Sequence, residues 1–187
     1  ILLTFSGTIL AAFAIVRERE RGTLEQLMVT PVSPFGVVMG KLLPYLVLAF
    51  VQLILVLVLM TTVFGVPIHG SVPLLLGLSV VYLFSLLSLG LLVSSLAQTQ
   101  MEAMQRAQLF LLPSIMLSGY IFPLSSLPAP IRVLSHLLPA THFIAISRGI
   151  IIRGASFGDL WQNVLALVAI PIVLVAGSTR AFRKTIS

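Results

Sequence analysis

Three histidines, His69, His136 and His142, are the metal-ligating imidazoles of this chain, and it holds no cysteine. His136 and His142 are six apart across Pro139, not at the i, i+4 spacing that sets two ligands on one helical face. Hydrogen bonding is therefore their expected role, and no metal is expected. Ser147 and His142 have the residue types of a nucleophile and its base, but no third group to orient the base is evident. No catalytic residue is assigned. There is no GxxxxGK run ending in Ser or Thr, so the chain has no phosphate-cradling loop of its own. Without cysteine, disulfides and thiolate chemistry are also excluded.

Charge is the other chemistry, and it is gathered in one place. Eleven Lys and Arg and five Asp and Glu make sixteen charged residues, and six of them lie in "RERERGTLE" (17–25). The rest of the chain is oily: 58% of residues are hydrophobic, 9% are charged, and the mean hydropathy is +1.15. An ordinary soluble domain carries about a quarter charged residues. A chain this poor in charge could bury a core but could not cover it with a water-compatible surface, so an integral membrane protein is expected. The net charge of +6 could suggest nucleic acid. However, the basic residues punctuate apolar runs instead of forming a polar face, so nucleic acid is not expected and membrane lipids are.

The elements that must position these residues are membrane helices. Five spans are expected: Ile1 to Val16, about Val37 to Phe64, about Pro73 to Leu96, about Met101 to Phe122, and about Leu160 to Ser178. The second is long, which points to tilt, a kink at Pro44, or an interfacial start at Lys41. The first run has no basic segment before it and its charge behind it, unlike a signal peptide. It is expected to be the end of a membrane helix in a chain whose earlier part is missing. Counting Lys and Arg sets the orientation. Segments 17–41, 97–108 and 179–187 hold eight, while 65–72 and 123–158 hold three. The richer side is expected to be cytoplasmic. Region 123–158 is too broken by proline to span and too apolar for water. Two short helices parted near Pro139, forming a re-entrant outer hairpin, are expected there.

Within the charged stretch, Gly22 permits a sharp turn, and Thr23 with Gln26 fits the capping-box pattern. Leu24, Leu27 and Met28 share a face, and Pro31 biases Thr30 out of helical geometry. A cytoplasmic helix of about two turns, ~12 Å long, is expected. It can be read as a solvated stop-transfer cluster or as a docking helix for a cytoplasmic partner. The capped, proline-terminated design favours docking.

These residues carry a resemblance. "RERERGTLEQLMVTPVSPFGVVMGK" resembles the segment between the second and third spans of ABC-2 type transporter permeases, with its ERGT-L-EQL and V-T-P runs and a following Lys. "LSGYIFPLSSLPAPIRVLSHLLPATHFIAISRGIIIRG" is similar to the family's second hallmark, an SG turn ending in Pro and a later Arg-Gly before the last span. The two occur in order, and the resemblance covers essentially all 187 residues as one transmembrane domain. It departs where the family's first span and large extracytoplasmic domain would stand.

The resemblance implies an all-α permease subunit with six spans in the full chain, in the inner membrane of a bacterium. It implies a second copy or a paralogue beside it and an ATP-binding subunit that holds ATP and Mg. An extracytoplasmic adaptor is a further candidate partner. By carry-over, Arg21, Gly22, Thr23, Leu24, Glu25, Gln26, Leu27, Met28, Thr30 and Pro31 form the coupling segment, with Arg17 and Arg19 above it. The outer hairpin, expected to act as a gate, centres on Gly119, Pro123, Pro139, Phe143, Arg148 and Gly149. Arg132 and Arg153 are expected to snorkel to lipid phosphates, and Arg148 to bond neighbouring carbonyls. Gln52, Tyr82, Ser85 and Ser88 are polar positions inside spans that either glue helices together or line a pathway. The expected function is ATP-driven export by alternating access. The rival is a secondary transporter, which would want an ionisable residue near mid-membrane.

Overall fold

The third span expected from sequence is the axle of the molecule. In the computed structural model, which describes residues 1–22 and 34–186, the chain is all-helical, with no strand among the described residues. The helices are α1 (Leu2–Glu20), α2 (Pro34–Thr62), α3 (Val72–Leu96), α4 (Gln100–Leu117), α5 (Ala129–Ser135), α6 (Pro139–Arg153) and α7 (Phe157–Ile186). A 3-10 turn covers Leu124–Ser126.

Helix α3 is launched by Ser71, whose side chain accepts the Leu74 N–H at 3.4 Å, with Pro73 in the first turn where its missing N–H costs nothing. Most of its apolar length is buried, whereas α2 and α7 bury little of theirs. Around it, α1 contributes Ala11, Ala12 and Val16, α2 contributes Leu42 and Leu53, and α4 contributes Ala103 and Ala107. Ile146 and Ile150 of α6 and Leu160 and Leu167 of α7 close the other side. Small residues set the closest approach. A Cβ on Gly90 would lie 2.5 Å from Thr8 O and 2.6 Å from the Ala11 Cβ, so α1 and α3 meet there backbone to side chain.

Lipid tails are as apolar as leucine, so burial between helices drives association weakly, and close packing and interhelical hydrogen bonds matter more. The polar residues of the spans are spent that way. Thr4 and Tyr82 join hydroxyls at 2.6 Å, Ser6 donates to Gln52 Oε1 at 2.8 Å, and Ser85 donates to Leu167 O at 3.3 Å. The Ser94 hydroxyl accepts the Val16 N–H at 3.2 Å. Each such bond contributes about 0.6–2 kcal/mol.

Helix ends differ from the sequence reading in instructive ways. Helix α1 does not stop at Val16 but runs on through Arg17, Glu18, Arg19 and Glu20, since Arg and Glu are good helix formers. It breaks at Arg21 and Gly22, where Gly22 takes φ 68°. Helix α2 begins at Pro34 and passes Pro44 as a single 29-residue element. Helix α4 begins at Gln100, because Thr99 accepts the Glu102 N–H at 3.2 Å while Glu102 reaches back to the Gln98 N–H at 2.6 Å.

Among the described residues, three helices are long and apolar enough to cross a membrane: Met39–Thr62, Val72–Leu96 and Phe157–Val175. Helices α5 and α6, bent 81° at their break, add a fourth if taken as one span. Among the described residues, α1 and α4 fall short of that measure, α1 because of its charged last turn and α4 because of Glu102, Arg106 and its glutamines.

Candidate functional site

Two places gather the residues that sequence singled out. The first is the end of the bundle where the charged stretch begins. Of the coupling residues, Arg21 and Gly22 form an exposed turn, and Thr23, Leu24, Glu25, Gln26, Leu27, Met28, Thr30 and Pro31 lie outside the described residues. The two carboxylates just before them are occupied. Glu18 accepts from Lys41, tying α1 to α2. Glu20 accepts the Gln100 backbone N–H at 2.7 Å and that residue's side-chain amide, tying α1 to α4. Those two donors, the side-chain amide first, hold the Glu20 carboxyl below its usual range. On α4, Glu102 accepts the Gln98 N–H at 2.6 Å and pairs with Arg106, whose Nη2 sits 2.5 Å away. Arg106 also donates to Leu96 O at 2.8 Å, closing the α3–α4 corner.

The second place is a cleft of about 520 Å³ at the opposite end of α1. Thr4 of α1, Val56 and Met60 of α2, Tyr82 of α3, Ser114 of α4 and Ser118 just after it, and Phe143, Ser147 and Arg148 of α6 face it. Tyr82 is 2% exposed, and its ring stacks on Phe143 with centroids 4.0 Å apart and planes 5° from parallel. The Thr4 bond fixes the rotation of that hydroxyl, so the aromatic pair forms a rigid wall. Arg148 reaches from α6 to the turn after α4, where Nη1 donates to Gly119 O at 3.1 Å. This carbonyl bond is the role expected for it. The volume lies within the range that holds small-molecule ligands, about 300–1,000 Å³.

The other hairpin residues do not line this cleft. Gly119 and Gly154 take left-handed φ of 81° and 63°, at the turn after α4 and at the end of α6. Pro139 opens α6 and is buried, Pro123 is exposed before the 3-10 turn, and Gly149 packs so closely that an added Cβ would lie 3.0 Å from Leu160 Cδ2. Arg132 departs from the snorkelling expected of it. Its guanidinium donates to Leu124 O, Ser125 O and Leu127 O at 3.0–3.2 Å, bracing the 3-10 turn and the residue after it.

Of the four polar span positions, Gln52, Ser85 and Ser88 are bonded to Ser6, to Leu167 and Val81, and to Phe84, while Tyr82 both bonds Thr4 and faces the cleft. The histidines are hydrogen-bonding groups. His142 Nε2 lies 2.8 Å from His136 O and Nδ1 3.1 Å from Asn163 Oδ1, linking α5, α6 and α7. His69 meets Ile151 O through its backbone N–H and its Nδ1, both at 3.1 Å. Ser147 donates to Ile144 O at 3.2 Å within its own helix. Among the described residues, no group of three or more His, Asp or Glu gathers for a metal. Sequence reading missed Thr4, Ser114 and Ser118 as cleft residues, because lone hydroxyls in apolar runs carry no signal of which neighbour they face.

An all-helical bundle with membrane-length apolar helices and a mostly apolar cleft walled by five of its helices is the architecture of an integral membrane protein. The chain belongs to the ABC-2 family of transporter proteins, whose description "ABC-2 family transporter protein" matches residues 1–180. It is 32% identical over 185 residues to the probable multidrug ABC transporter permease YbhR of Escherichia coli strain K12, covering 99% of this chain and 50% of the relative. To YbhS of the same strain, also a probable multidrug ABC transporter permease, it is 36% identical over 176 residues, covering 94% and 47%. To the inner membrane transport permease YhhJ it is 36% identical over 185 residues, covering 98% and 50%. The chain thus spans about half the length of the curated relatives it matches. Family membership points to the membrane component of an ABC transporter.

Proposed function

We propose that this chain is the membrane half of an ATP-driven exporter, with α1 and α4 completing five spans, α5 and α6 forming a re-entrant outer hairpin, and residues 22–31 forming a coupling helix. An ATP-binding subunit docks on that helix and holds ATP and Mg, and a second copy or a paralogue pairs in the membrane. An extracytoplasmic adaptor would join the outer side. The setting is the inner membrane of a bacterium, as the printed name of YhhJ has it for that relative.

The observation that carries this reading is the bracing at the mouth of the charged stretch. Glu20 on Gln100 and Glu18 with Lys41 fasten the end of α1 to the starts of α4 and α2 just before the coupling segment leaves the bundle. Closure of the nucleotide-binding dimer pushes on the coupling helix. The braced corner then passes the push to α1, α2 and α4, whose far ends wall the cleft. Helix rocking at one end thereby changes the shape of a binding space at the other, which is what alternating access needs.

The experiment is Leu27→Asp in the full-length permease. Leu24, Leu27 and Met28 form the apolar face of the docking helix by sequence, so a carboxylate there is expected to separate the ATP-binding subunit on co-purification while leaving detergent stability unchanged. Unchanged co-purification with unchanged substrate-stimulated ATP hydrolysis overturns the docking role.

A further inference from the structure

Four cations of the described bundle are not alike. Arg132 spends its guanidinium on three carbonyls, Arg106 on Glu102 and Leu96 O, and Arg153 lies in the field of Asp159. Arg148 faces the cleft with a single hydrogen bond, from Nη1 to Gly119 O, among the described residues. A guanidinium offers five N–H donors in a planar fork, so most of that fork is open to the cavity. The residues that line the cleft include no Asp or Glu. Arg148 is exposed, and an anion in the cleft gives its open donors a charged partner.

The remaining walls describe the rest of the ligand. The Phe143 ring, backed by the buried Tyr82 ring stacked 4.0 Å behind it, offers an aromatic surface, and Leu3, Val56, Met60 and Ile144 complete an apolar lining. Ser114 and Ser118 add hydroxyls near the Gly119 turn. We propose that this cleft binds an amphiphilic organic anion, with one carboxylate or phosphate group on Arg148 and an apolar body laid along Phe143. The proposal rests on the export reading insofar as it names the substrate class of that exporter. The anionic group takes the fork of the guanidinium, as carboxylates and phosphates do when two parallel N–H bonds are on offer. The body fills a volume of about 520 Å³. A neutral molecule of the same shape fills the groove but leaves the cation unpaired, so charge is the discriminating feature.

The test uses the full-length permease in nanodiscs of phosphatidylcholine alone. The probes are a photoactivatable fatty acid and the photoactivatable alcohol of the same chain length, with labelled peptides mapped by mass spectrometry. The carboxylate is expected to label the peptides that carry Tyr82 and Phe143, and the alcohol to label them much less. Arg148→Gln is expected to lower the carboxylate's labelling roughly tenfold, the loss of a charge-assisted hydrogen bond, and Arg148→Lys to retain much of it. Because Arg148 also holds the Gly119 turn, Ser147→Asp serves as a second variant. It leaves the Gly119 bond in place and adds a carboxylate to the same wall, and it too is expected to repel the fatty acid. Residual labelling by the alcohol in both variants confirms that the cleft is intact.

A third arm places photoactivatable phosphatidic acid in the bilayer. Labelling of the same peptides shows that the site takes a two-chain lipid anion, and labelling by the fatty acid alone restricts it to single-chain anions; either supports the site. Equal labelling by acid and alcohol, unchanged in Arg148→Gln and Ser147→Asp, overturns it. Labelling is read on the permease alone, whereas the export reading is tested by co-purification and transport, so either can fail without the other.

Discussion

Glu20, the last residue of α1, holds Gln100, the first residue of α4, by two hydrogen bonds at once: its Oε1 accepts the backbone N–H at 2.7 Å and its Oε2 accepts the side-chain amide. The two residues are eighty positions apart, and their contact closes the corner from which the charged stretch departs. Glu20→Gln keeps the size but weakens an acceptor for the orphan N–H at the start of α4. We expect normal membrane insertion, weaker coupling of ATP hydrolysis to transport in the reconstituted complex, and faster amide exchange at residues 98–102. Unaltered exchange there contradicts the bracing.

The same contact predicts a pH dependence. The Glu20 carboxyl sits below its ordinary value of 4.5 because Gln100 donates to the charged form. A carboxyl so lowered contributes stability that is fully present above the ordinary value and is lost as pH falls through the lowered one. Protection of residues 98–102 is therefore expected to hold at neutral pH and to fall as pH drops below about 4.5, whereas Glu20→Gln is expected to show little such change.

Gly90 sits where α1 crosses α3. An added methyl meets Thr8 O and Ala11 Cβ at distances that no real Cβ adopts, so the helices must part. Gly90→Ala is expected to cost about 1–3 kcal/mol, seen as a lower midpoint in detergent thermal unfolding. Gly77→Ala on the same helix, where nothing lies within 4 Å, is the control and is expected to be neutral or mildly stabilising.

Orientation is tested with single cysteines, since the chain has none of its own. A membrane-impermeant thiol reagent on intact cells is expected to label Ser126→Cys and to spare Ser33→Cys. The reverse pattern inverts the topology and removes the case for a cytoplasmic partner at residues 22–31.

The hairpin is expected to move. A Cβ built on Gly154 lies 3.8 Å from the His69 Cβ, within the Cβ separation of a disulfide of about 3.5–4.5 Å. His69→Cys with Gly154→Cys therefore ties the end of α6 to the turn between α2 and α3. Oxidation is expected to block export while ATP hydrolysis persists in part, and reduction to restore export. Full transport with the crosslink demonstrably formed makes the hairpin a static plug.

Composition alone dictated a membrane protein, because a chain with 9% charged residues has no way to cover its surface against water. Helical class followed, since an apolar run in lipid must satisfy its backbone internally. The α2, α3 and α7 spans, the break at Pro139 and the turn at Gly22 were legible for the same reason: apolar length, proline and glycine act locally. The carbonyl partner of Arg148 was also within reach, as a long cation among apolar residues must find an acceptor. Which helix stands at the centre was not legible, because α2 is as apolar as α3 and only packing leaves one on the outside. Nor was the cleft. Thr4, Tyr82, Ser118 and Phe143 come from four separate segments, and their meeting depends on how closely Gly90 lets α1 approach α3. Glu20 read as one charge among six until the fold brought Gln100 to it. Sequence periodicity reports which face of an element avoids water; in lipid nearly every face can be apolar, so partner choice passes to shape, to small residues and to paired polar atoms, and those are decided only in three dimensions.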